Sequence, residues 1–131
     1  MKLNFAKESD IVVGRVLYST CILRIKNGYS TDITKEIITV KPFDNGYKSI
    51  KIFDDMEFDT LTMLGDRNIP LNCYNHHHLF TDLESAELYC NMFKTQQFDH
   101  LIDIGVLSPQ KIQRINENYE MYMFHCTYRD N

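Results

Sequence analysis

No run of the 131 residues approaches the length and apolarity needed to cross a membrane. Met1-Lys2-Leu3-Asn4-Phe5 has no apolar stretch behind it, so a secretory leader is not expected. The five glycines form neither a Walker A loop nor G-x-G-x-x-G, which excludes the standard phosphate cradles. Zinc signatures need repeated short spacings, and Cys73-x-x-His76 has no second pair; His125 and Cys126 are adjacent. The acidic stretch lacks the spacing and central glycine of a calcium loop. There is no basic excess: the net charge is −4. Residues 1–65 balance nine basic against nine acidic residues, so the deficit falls in 66–131. This disfavours a broad nucleic-acid footprint. Linkers, repeats and low-complexity segments are also missing, so residues 1–131 are expected to form one domain.

What is present fits a small globular protein, at 44% apolar and 24% charged. The four scattered cysteines, with no secretion signal, are expected to be reduced thiols in a cytoplasmic setting. After a short lead-in over 1–9, the chain reads as strands. Ile11 to Tyr18 is β-branched and nearly continuous in apolar character. Cys21, Leu23 and Ile25 alternate with Ile22, Arg24 and Lys26, and Asn27-Gly28 signals a hairpin turn. Glu36 to Val40 is a further strand. Asn45-Gly46 signals a second turn. In Tyr47 to Phe53, Ile50 and Ile52 fall on one face and Ser49 and Lys51 on the other. Leu71 to His77 is a candidate extra strand.

A helix begins near residue 82. Thr81 and Glu84 stand at capping-box spacing, and Leu83, Ala86, Cys90 and Phe93 make one helical face. Phe98, Leu101 and Ile102 predict a short helix ended by Gly105. Ser108-Pro109 is an N-cap and first-turn pair for a third helix, striped by Ile112, Ile115 and Tyr119. Met121 to Tyr128, rich in aromatics and methionine, reads as a closing strand. The expected fold is α+β: a curled antiparallel sheet or small partial barrel packed by two or three helices.

The strand order leading into Leu79-Phe80-Thr81-Asp82-Leu83-Glu84-Ser85-Ala86-Glu87 resembles small uncharacterised phage and prophage accessory proteins. The resemblance covers residues 10–95 in outline. It implies a small accessory protein acting on host machinery, and it carries over no catalytic residue.

Three histidines, His76 to His78, sit near Cys73. On a strand His76 and His78 share a face and His77 does not, so the ligand count for zinc is short. Neither Cys73 nor Cys126 stands in a nucleophile context. Core packing is the commoner role for such cysteines. Arg24, Lys26, Lys35, Lys41, Lys48 and Lys51 with Tyr29 and Tyr47 would make a single-strand nucleic-acid platform, but lysines on strands more often block edge pairing. No metal and no cofactor is expected. The residues point instead to a non-enzymatic binding protein that acts by stoichiometric contact with a partner protein. Its contact residues are Asp54, Asp55, Glu57 and Asp59, with Tyr119, Tyr122 and Tyr128 from the tail. A homodimer is compatible with the same tail. The alternatives are a ligand- or nucleotide-sequestering protein using Arg67, Tyr74, His76 and His78, or a small histidine-dependent hydrolase or nuclease.

Overall fold

A computed structural model describes residues 3–44, 46–64, 72–74 and 77–129, with side chains for all of these except 72–74, 77 and 125–129. Six strands are β1 (Val16–Ile25), β2 (Gly28–Phe43), β3 (Gly46–Phe53), β4 (Met56–Met63), β5 (Asn72–Tyr74) and β6 (His77–Phe80). Three helices follow: α1 (Leu83–Lys94), α2 (Phe98–Asp103) and α3 (Pro109–Arg129). The sheet order is β4-β3-β2-β1-β6-β5, antiparallel throughout. Five strands share one ladder, and β5 adds to β6 by a short, shifted pairing. β4 comes near β5, but no ladder joins them among the described residues. The expected α+β fold with an open, curled sheet is what the chain forms.

Local chemistry explains the curl. β2 is long, and its register against β3 shifts between Ile38 and Val40 and again between Val40 and Phe43. Pro42 lies in the second shift, where a missing backbone donor is tolerated, and such bulges bend a strand and increase its twist. Gly46 opens β3 hard against β4: a Cβ there would fall 2.3 Å from the Thr62 carbonyl oxygen, so the approach requires glycine. The β3–β4 turn is Asp54-Asp55, with φ of 50° and 61°. Both residues are left-handed, as a two-residue hairpin that matches strand twist demands, and aspartate tolerates that region better than most residues.

The two faces of the sheet bury different residues. On one, Ile22, Tyr29 and Phe80 pack with Ala86, Tyr89, Cys90, Met92 and Phe93 of α1 and with Leu101 of α2. On the other, Leu17, Ile38, Tyr47 and Leu79 are buried with Leu64, Ala6 and Ile11, and no helical residue takes part among the described residues. The curl of the sheet and the N-terminal segment close this second face.

Several expectations are corrected. Val12 and Val13 are exposed, and a turn at Gly14 (φ +89°) precedes β1, so the first strand starts at Val16. The lead-in is structural: Phe5 bridges Phe80, and the Ala6 amide donates to the Leu79 carbonyl at 2.8 Å. The helix cap is Asp82, whose Oδ1 accepts from the Ser85 amide at 2.7 Å; Thr81 lies one residue outside. The α1 face turns accordingly, leaving Leu83 exposed and burying Ser85 and Tyr89. The segment read as a closing strand, Met121 to Tyr128, is the end of α3. Between Pro109 and Arg129 no glycine or second proline interrupts propagation, and Ile112, Ile115, Tyr119 and Tyr122 keep helical spacing. Ser108 caps α3 as expected, accepting from the Lys111 amide at 3.1 Å.

Candidate functional site

The four carboxylates picked from the sequence meet on one structure, the β3–β4 hairpin. Asp54 and Asp55 form its turn, and Glu57 and Asp59 follow on β4, the outer strand of the sheet. All four are exposed. None makes an ion pair among the described residues. Large apolar side chains alternate with them: Phe53 is 54% exposed, Met56 59% and Phe58 44%. An exposed outer strand of this kind is a template for contact.

The tail tyrosines lie elsewhere, on α3, which packs beside β1. The described pairing of β6 with β1 reaches Tyr18 and Ser19. Past it, Ile22 to Ile25 and α3 enclose a groove of about 650 Å³. Its apolar wall includes Leu23, Ile25 and Ile115, and Tyr119 and Tyr122 stand along the helix. Arg24, Lys111 and Arg114 supply the charge. The Arg24 guanidinium lies over the Tyr119 ring at 4.9 Å and the Tyr29 ring at 5.5 Å. It also donates from Nε to Asn116 Oδ1 at 3.1 Å and from Nη1 to the Ile25 and Gly28 carbonyls. Arg24 is therefore a fixed strut between the β1–β2 turn and α3. Lys111 and Arg114 have no carboxylate partner among the described residues. Tyr122 is exposed, and beyond it Met121, Met123 and Phe124 stay exposed too. Tyr128 lies in α3, with its side chain outside the described set.

Of the alternative ligand residues, Arg67 and His76 lie outside the described residues, and of Tyr74 only the backbone in β5 is described. His78 is buried on the helix side, edge-on to Phe5 at 5.3 Å and to Tyr89 at 5.6 Å. Its position is that of an aromatic core residue. No group of three metal-ligating side chains comes together among the described residues. Burial pushes the Cys21 and Cys90 thiols up from their usual value, away from the reactive thiolate. The side chains of Cys73 and Cys126 lie outside the described set. Of the proposed nucleic-acid platform, Tyr29 and Tyr47 are both buried and present no ring face for stacking.

A buried carboxylate inside the curl escaped the sequence reading. Glu36 is fully buried, accepts from Tyr47 Oη at 2.5 Å on Oε1, and has Lys51 Nζ 4.0 Å from Oε2. Oε2 has no hydrogen-bond partner among the described residues. Ser49 and Thr60 join their hydroxyls beside it on the same face, 3.1 Å apart. Nothing in the pattern of Glu36 separates it from a surface glutamate. The groove cations Lys111 and Arg114 were also missed, though they flank the Ile112 and Ile115 stripe on α3.

The fold and these surfaces define a small α+β protein that carries charged, partly apolar patches and no assembled catalytic group among its described residues. The chain belongs to the Phage g100-like protein family, which it matches over residues 5–93. That match spans the whole sheet and ends within α1; α2 and α3 lie beyond it. No curated protein and no solved structure matches the chain.

Proposed function

We propose that this phage-family protein acts by stoichiometric contact with a partner protein, as a modulator or inhibitor of host machinery in the host cytoplasm, and not by turnover. The observation that carries the reading is the β3–β4 hairpin, where four carboxylates with no ion-pair partner among the described residues alternate with exposed Phe53, Met56 and Phe58. Charges arranged this way steer encounter and reject wrong partners, while buried aromatic anchors supply the affinity. The exposed tyrosine and methionine side chains of α3 extend the contact repertoire.

The test is capture of interacting protein from host lysate. The reference is the native chain. The variant carries Asp54→Asn, Asp55→Asn, Glu57→Lys and Asp59→Lys; asparagine keeps the left-handed turn. The native chain is expected to retain one protein at about one copy per chain, and the variant to lose it. Cys73→Ala and His76→Ala should retain it. A biological effect at a tenth of a copy per target, abolished by either single substitution, would show turnover and sink the reading.

A further inference from the structure

We propose that the acidic hairpin of one copy seats in the basic groove of another, so that the chain self-associates. The hairpin specifies its own complement: a cationic, apolar-walled recess. The groove between β1 and α3 meets that specification on the same molecule. Among the described residues Lys111 and Arg114 lack carboxylate partners, just as Asp54, Asp55, Glu57 and Asp59 lack cations. Leu23 is 55% exposed, Ile25 45% and Tyr122 67%, which matches the exposure of Phe53 and Met56 at the hairpin tip. A recess of about 650 Å³ holds the side chains of a hairpin tip, being in the range that buries a drug-sized ligand.

The occupant has to come from another copy. In the order β4-β3-β2-β1, the hairpin is three strands from the groove, about 14 Å at ordinary strand spacing. The β1–β2 and β3–β4 ladders and the unshifted Lys35–Ile38 stretch of β2 against β3 fix that separation. The two surfaces are different patches. Two copies satisfy the contact reciprocally if each hairpin reaches the other's groove across a two-fold axis; otherwise the contact continues from copy to copy until a ring closes or the row of copies ends. The inference deepens the contact reading, since the hairpin would serve both neighbour and partner and the two would compete for it.

The experiment is sedimentation of the full chain over a range of concentrations, at low salt and at about 0.5 M salt, where screening shortens the Debye length to a few ångströms. The mass is expected to rise with concentration to that of a dimer or beyond at low salt and to return to monomer at high salt. Lys111→Glu with Arg114→Glu, and separately the hairpin variant described above, should each stay monomeric. Mixing the two variants should restore association, because the basic hairpin then finds an acidic groove and the native hairpin a native groove. A monomer at all concentrations overturns the inference. So does association that both variants keep. The groove variant leaves the hairpin intact and should still capture the partner, so loss of self-association with retained capture separates this inference from the functional reading.

Discussion

The same strands face two unlike interiors. On the helix side the core is aromatic. Phe5 and Phe80 lie 4.8 Å apart, Tyr89 and Phe93 5.2 Å, Tyr29 and Phe93 5.4 Å, and Phe93 and Phe98 5.5 Å. Inside the curl a small apolar set surrounds Glu36, Tyr47, Ser49 and Thr60, which hold one another by hydrogen bonds. The first interior gains from burying area, which is non-directional and tolerates some rearrangement. The second depends on directional partners, and an unsatisfied group there is costly. The helical layer should therefore fail by losing volume and the curl by losing a partner.

The largest effect is expected on the aromatic side. Phe93→Ala removes a fully buried ring touching Tyr29, Tyr89 and Phe98, and should cost about 3–5 kcal/mol. Urea unfolding measures it; a loss below about 1 kcal/mol would mean the helices do not seal that face. Next comes Tyr47→Phe, which deletes one oxygen and leaves the buried Glu36 carboxylate without a hydrogen bond. The expected cost is about 2–4 kcal/mol with almost no change in volume. Adding Glu36→Met to that variant should recover most of the loss, since the buried charge goes too. If the double variant is no better than the single, the polar cluster is not what limits the curl.

The smallest effect is at the seam between the two interiors. Asp82→Ala removes the α1 cap and should cost about 1 kcal/mol. The Asn4 side-chain amide holds the Asp82 carboxyl below its usual value of 3.8; burial opposes it, and the hydrogen bonds from Ser85 add to the lowering. The folded value is lowered, so this contribution is complete above the ordinary carboxyl range and fades as pH falls through the lowered folded value. Asp82→Asn keeps a cap without a titrating group, and its stability should vary less than the native chain's below pH 4 in melting scans. Equal acid dependence in both would remove Asp82 as the source.

The hairpin turns and the helix start were legible because they depend on residues a few positions apart. Asn27-Gly28 falls at the β1–β2 turn and Gly46 opens β3, and the α1 cap lies one residue past the expected one. Period-two alternation correctly separates Ser49 and Lys51 from Ile50 and Ile52, but it does not say which side is dry. Ser49 turns out buried inside the curl, while Ile50 and Ile52 are only half-buried outside. Curvature decides that, and curvature comes from bulges that leave no plain mark in one sequence. The end of α3 was misread because tyrosine, phenylalanine and methionine satisfy strand and helix patterns alike. The acidic patch was legible as a patch, though not as a turn. The groove was not legible at all, because Arg24 meets Asn116 across 92 positions.

The N-terminal segment sets the order in which the chain can finish folding. Asn4 donates from its amide to Ser85 Oγ and from its side chain to Asp82, and the Thr81 amide donates back to its carbonyl. A ribosome delivers Asn4 some eighty residues before its partners. The β1–β4 meander is made of neighbours and can pair as it emerges. The opening segment has to wait, solvated, until β6 and α1 arrive. This long-range closure raises contact order, and it makes docking of the first few residues a late step that locks sheet to helix.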